Sequence, residues 1–114
     1  MRAGPDGSAP AVTWRLACSR QQVPPDRGWP VRIGTTSIAV FDLDGQLVAV
    51  ENRCRHLGNP IDDGVVERGC VTCPWHGWRY DLRTGAHVTF FGRRPGLRTF
   101  PVRTEGDDVL VDIE

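Results

Sequence analysis

CRHLGNPIDDGVVERGCVTCPWH, residues 54–76, decides how the rest of the chain is read. It opens on Cys54-x-His56, runs through sixteen residues and closes on Cys73-x-x-His76. Two thiols and two imidazoles arriving as two matched pairs are a metal-ligand set, and thiolate with imidazole suits zinc or iron with sulfide. Gly58, Pro60 and Gly64 lie between the pairs, so LGNPIDDG cannot form a long helix and the first pair is expected on a loop.

Outward from this stretch, the composition describes scaffold. A chain of 114 residues supports one modest core and no separate catalytic domain. Thirteen glycines and nine prolines point to many turns and short strands, hence an all-β fold. Fourteen arginines, with no lysine, balance fourteen acids at a sequence pI near 6.8, which argues against nucleic acid as a partner. The opening MRAGPDGSAPAV lacks the apolar run of a signal peptide, and no stretch approaches the roughly 20 apolar residues that span a bilayer, so a cytoplasmic protein without a membrane partner is expected. In a reducing compartment four cysteines favour metal binding over disulfides.

Residues 1–10 offer little to bury and read as a flexible tail, leaving 11–114 as the domain. VTWRLAC, residues 12–18, alternates as a half-buried strand with Val12, Trp14, Leu16 and Cys18 on one face, Cys18 being a small core hydrophobe. Ser19 opens a single helical turn that Pro24 and Pro25 end. TTSIAVF and QLVAVEN, joined by DLDG at Asp42–Gly45, form a hairpin. VVERGCVTC reads as one short strand delivering Cys73, and GWRYDLRTG as a hairpin turning at Arg83-Thr84-Gly85. Pro101 marks LRTFPVR as an edge or bulged strand before the closing strand DVLVDIE. The count is eight to ten strands, no substantial helix and ligand loops at about 52–64 and 70–80.

A [2Fe-2S] centre can be held by two cysteines on one iron and two histidines on the other. Spanning it from two neighbouring loops needs one Cys and one His on each, which is the arrangement here: Cys54 and Cys73 for one iron, His56 and His76 for the other. The competing zinc reading fits less well, because zinc fingers pair like with like around a helix. A second zinc reading takes Cys70-x-x-Cys73 as a knuckle. Cys70 reads more simply as a buried strand residue, and His87 as a surface or hydrogen-bonding residue.

With these residues in view, the chain resembles the Rieske-type ferredoxins and their relatives. Cys54-x-His56, sixteen residues and Cys73-x-x-His76 match that family's signature, as do Leu57, Gly58, Pro74, Gly77 and Trp78. The resemblance covers residues 11–114 and implies a fold of antiparallel sheets with a small cluster-binding subdomain formed by two ligand loops. It implies one Rieske [2Fe-2S] cluster per chain on Cys54, His56, Cys73 and His76.

Relatives in cytochrome bc complexes carry a disulfide between the two loops, at positions that are Asn59 and Trp75 here, and a serine where this chain has Trp78. Lacking these, the cluster is expected at low to intermediate potential within the His-ligated range of about −150 to +300 mV. Tyr80 matches a tyrosine that bonds a ligand cysteine sulfur in the high-potential relatives. Trp75 and Trp78 are expected to cover the cluster and fill core. GRRPG, residues 92–96, sits where the family has a third loop; Pro95 is expected to shield the site, and Arg93 and Arg94 form either a cationic collar for an acidic partner or two solvated side chains.

Only His87 remains once the ligands are assigned, so the two-His, one-carboxylate iron site of an oxygenase cannot be built. The resemblance therefore implies a non-enzymatic electron carrier, monomeric, taking one electron from a flavin-dependent ferredoxin reductase to a terminal oxygenase. The alternatives are the small subunit of an assimilatory nitrite reductase, docking on its large subunit, and a structural or sensing metal-binding module.

Overall fold

A computed structural model describes residues 14–75, 77–89 and 94–113. The expected tail, the strand start at Val12, and His76 and Arg93 fall outside the described residues.

Among the described residues ten strands form three antiparallel sheets. β1 (Trp14–Ser19), β9 (Val102–Glu105) and β10 (Asp108–Asp112) make one, ordered β1-β10-β9. β2 (Trp29–Ile33), β3 (Thr36–Leu43), β4 (Gln46–Glu51) and β8 (Thr99–Phe100) make the second in the order β2-β3-β4-β8. β5 (Val65–Glu67), β6 (Cys70–Thr72) and β7 (Arg79–Asp81) make the third. The all-β expectation holds. The helical turn is a single 3-10 turn, Arg20–Gln22, with Ser19 and Gln22 capping it reciprocally. No helix among the described residues is long and apolar enough to cross a membrane.

Strand β3 divides the molecule. Side chains alternate across a strand, and here both faces are buried. Ala39, Phe41 and Leu43 enter one core with Val50, Ile61, Val71, Tyr80, Leu82 and Leu97, while Ile38 and Val40 enter another with Cys18, Phe100, Val109 and Val111. The first core also contains Cys54 and Cys73, so the ligand loops are rooted in it. Leu43 pairs with Gln46 across Asp44 and Gly45, both at positive φ (54° and 97°), the two-residue turn expected from DLDG.

Three expectations need correction. Leu16 does not share the face of Cys18: it is 61% exposed, because Ala17 forms a bulge where the register shifts between Leu16 and Cys18. VVERGCVTC is not one strand but the β5–β6 hairpin, turning at Arg68 and Gly69 with φ of 54° and 76°. Arginine rarely takes that conformation, so the turn carried no Asn-Gly or Asp-Gly signal. In GWRYDLRTG only the first leg is a strand; the return leg is a single bridge, Tyr80 to His87, with Asp81 and Val88 N–H groups donating to the Ala86 and Arg79 carbonyls. Pro101 falls between β8 and β9, where the chain leaves one sheet for another, which refines the edge-strand expectation.

The excursion that carries both Cys-His loops departs from β4 and rejoins the same sheet beside its point of departure. Val50 pairs with Thr99, and the Glu51 N–H donates to the Arg98 carbonyl at 2.8 Å. The described residues between them, with the β5–β7 sheet, are held at this junction, by the Gly28–Asp62 and Ser37–Asn52 backbone bonds and by the core they share with β3.

Candidate metal centre

The two ligand loops repeat one backbone pattern. In the first, between β4 and β5, the Cys54 N–H donates to the Asn59 carbonyl (2.8 Å) and the Cys54 carbonyl accepts from the Gly58 N–H (2.8 Å). In the second, between β6 and β7, the Cys73 N–H donates to the Trp78 carbonyl (2.7 Å) and the Cys73 carbonyl accepts from the Gly77 N–H (3.0 Å). Each turn closes four residues after its cysteine on a glycine at positive φ, 79° for Gly58 and 76° for Gly77, which other residues reach only with strain. Cys-x-x-x-Gly occurs in both loops, and this is the physical reason.

Asn52 clamps the first loop, a role with no signal in the sequence. Its Oδ1 accepts the Ile61 and Asp62 N–H groups (2.8 and 3.1 Å), and its Nδ2 donates to Asp62 Oδ1 (2.9 Å). One buried side chain thus ties the descending leg of the loop to its start.

Burial separates the ligand candidates by type. Cys54 and Cys73 are 2% and 1% exposed, whereas His56 faces solvent. The Trp78 ring lies 4.7 Å from the His56 ring at 35°, so the second loop packs on the histidine of the first. Tyr80, fully buried, brings its hydroxyl 3.4 Å from Cys54 Sγ and accepts the Arg55 N–H at 3.0 Å. Burial, followed by the Cys54 bond, holds the phenol well above the ordinary tyrosine range.

Cys18 and Cys70 stand apart from this centre. Cys18 lies in the other core, where burial raises its pKa. Cys70 is only half-buried and pairs with Glu67 and Asp81 at the far end of β6. Three residues of extended chain place Cys70 and Cys73 about 10 Å apart along the strand, whereas thiolates sharing one zinc bind at about 2.3 Å from it. The CxxC knuckle is excluded. Among the described residues no disulfide forms.

His87 is not a surface residue. It is half-buried, with its ring edge-on to Trp78 (4.7 Å) and to Tyr80 (5.1 Å). Burial, then the nearby Arg94 guanidinium, lowers its pKa. Trp75 likewise departs from expectation: it is 65% exposed and does not fill core, while Trp78 packs against the core. Pro95 is exposed, and it is Leu97, bonded to the Gly85 carbonyl at 2.7 Å, that the third loop sends inward.

A pair of buried thiols, an exposed imidazole and a hydroxyl aimed at one sulfur fit a centre with a sulfur-ligated inner side and a nitrogen-ligated outer side. Residues 13–101 match the Rieske [2Fe-2S] domain family, and the chain belongs to it. Its cofactor is a Rieske-type [2Fe-2S] cluster. The biphenyl dioxygenase ferredoxin subunit of Pseudomonas sp. (strain KKS102) is 32% identical over 102 residues, covering 89% of this chain and 93% of that protein. The Sphingomonas yanoikuyae B1 ferredoxin superposes with a TM-score of 0.80 at 27% identity, over 90% of this chain and all of that one. A ferredoxin chain from the complex of reduced oxygenase and oxidized ferredoxin in carbazole 1,9a-dioxygenase superposes at 0.75 and 26% identity, over 85% of this chain and 99% of that one. Within the family this chain is an electron carrier and not a catalytic subunit.

Proposed function

We propose that Cys54, His56, Cys73 and His76 hold the cluster, and that the chain takes its electron from a flavin-dependent reductase in the cytoplasm and delivers it, as a monomer, to a terminal oxygenase. When bound, the cluster supplies a one-electron couple. Cys54 and Cys73 present thiolates from within the core, which keeps water from the sulfur side. Tyr80 donates to Cys54 Sγ, and Trp78 fixes the plane of the His56 ring. The observation that carries the reading is the split in burial: Cys54 and Cys73 are enclosed while His56 meets solvent, so a partner docking at His56 has the shortest path.

Absorption and EPR spectra of the dithionite-reduced protein test this assignment. A [2Fe-2S] signal with two nitrogen ligands on one iron supports it; a colourless protein that copurifies with zinc overturns it. Reduction by a flavoprotein reductase, followed by single turnover of a dioxygenase, tests the direction of electron flow.

A further inference from the structure

The formal net charge is zero, but the charges are not evenly placed. At the end bearing the ligand loops, Arg53 and Arg55 bracket Cys54, and both are exposed. Arg53 lies along the first loop, its Nε 3.5 Å from where a Cβ on Gly58 would be. Together Arg53, Arg55 and His56 line an open recess of about 450 Å³. Arg98 lines the adjoining groove with Arg55, but its guanidinium is turned onto the Ile113 carbonyl (2.9 Å) and the Phe100 ring (4.7 Å), away from the loops. Arg94, also exposed, acts electrostatically on His87, which packs on Trp78. The acids on that side are Glu51, at the start of the first loop, and Asp62 and the exposed Asp63 at its far end, next to Gly64. Glu51 approaches Arg55 at 3.9 Å, while Asp62 is turned back onto Asn52.

The acids gather at the opposite end. The β3–β4 turn holds Asp42 and Asp44, about 17 Å along β4 from Glu51 at the usual strand rise. Arg20 ties that turn to the β9–β10 turn, its side chain donating to the Gly45 carbonyl and its N–H to the Asp107 carbonyl. The second turn adds Glu105, Asp107 and Asp108. Arg20, Arg68 and Arg83 dilute this charge without reversing it.

Between the arginines the ligand end is apolar. Leu57 follows His56 and is 67% exposed; Trp75, two residues after Cys73, is 65% exposed. Each ligand loop thus puts one large apolar side chain into water beside its histidine position. Exposed side chains of this size, rimmed by charge, have the anatomy of an interface centre and its polar rim.

Building on the carrier reading, we propose that this tip, with Leu57 and Trp75 at its centre and Arg53, Arg55 and Arg94 around it, docks on a carboxylate-rimmed apolar recess of the terminal oxygenase. Opposite potentials steer the encounter and orient the molecule along its own dipole, so that the histidine side arrives first.

Small redox probes test the sign of the field at the tip. The reduced holoprotein is oxidised in stopped flow by anionic ferricyanide and, separately, by cationic hexaamminecobalt(III), at low and high salt. As the Debye length falls from about 30 Å at 0.01 M to about 10 Å at 0.1 M, the ferricyanide rate is expected to drop about threefold to fivefold and the cobalt rate to rise. Arg53→Gln/Arg55→Gln flattens both responses while the visible spectrum stays unchanged; Arg68→Gln, beside Asp42 and Asp44 at the other end, leaves them as they are. Poly-L-glutamate, standing in for the carboxylate rim, slows ferricyanide oxidation at low salt and poly-L-lysine does not. The opposite salt response, no salt response, or blockage by poly-L-lysine overturns the proposal and leaves the carrier reading intact. A protein with no redox-active centre overturns both.

Discussion

The Tyr80 hydroxyl accepts the Arg55 N–H at 3.0 Å and stands 3.4 Å from Cys54 Sγ. A Cys54 thiolate on iron has no proton to give, so the hydroxyl would donate to it, and a donor there favours the more negative, reduced state. Tyr80→Phe is expected to lower the reduction potential by about 40–90 mV, the equivalent of about 1–2 kcal/mol for one electron. Protein-film voltammetry reads this directly. An unchanged potential would mean that the hydroxyl has no part in tuning.

Asn52 accepts two backbone N–H groups that no other group in the first loop is placed to take. Asn52→Ala leaves both without that partner and is expected to destabilise the holoprotein by about 2–4 kcal/mol. Chemical denaturation followed by loss of visible absorption is the measurement. Faster amide exchange at Ile61 and Asp62 places the damage in the loop.

The four cysteines separate into two pairs by location. Cys54→Ser and Cys73→Ser are expected to abolish cluster assembly, since each removes a thiolate from the core that the loops share. Cys18→Ala and Cys70→Ala are expected to leave the visible spectrum as it is. Bleaching by Cys70→Ala would overturn the ligand assignment.

His87 carries the pH dependence. Burial, then Arg94, holds its native pKa below the usual value, so the neutral ring is the native form. The unfolded chain takes up a proton near pH 6.5 and the native state only at lower pH. Stability is therefore whole above about pH 6.5 and declines as pH falls below it, until the native ring is protonated as well. The groups packed around the ring are Trp78, Tyr80 and Arg94. The difference in thermal midpoint between the wild type and His87→Phe, followed from about pH 7.5 to about 5.5, isolates this contribution from other titrations. A difference that does not change with pH would sink the assignment.

Local chemistry made much of the architecture readable. DLDG announced its turn, Ser19 its cap, and the Cys-His pairs their loops, because each is decided within a few residues. Alternation failed at Ala17, where one extra residue resets which face is inward. It failed again at Arg68, which is held at positive φ by the strands it joins and not by its own preference. The cofactor was legible from the Cys and His spacing, but the side chains that support the two loops were not. Asn52 is one amide among ordinary loop residues, and only the fold brings it to Ile61 and Asp62. The exposure of Trp75 and the burial of His87 reverse their expected environments for the same reason: both depend on how the second loop lies on its neighbours.

The junction at Val50 and Thr99 has a consequence for how such a protein can be rebuilt. A segment that leaves and re-enters a sheet at adjacent positions behaves as a cassette, and its further ties to the host here are the Gly28–Asp62 and Ser37–Asn52 backbone bonds and one apolar face of the sheet. Cutting there and closing β4 directly onto β8 would leave a bare sandwich of the other two sheets. Conversely, the excised segment could be set into any antiparallel pair that offers a small, aromatic and aliphatic face like that of Ala39, Phe41 and Leu43. The electron-carrying part of this chain is, in that sense, portable, and one face of a single strand is its socket.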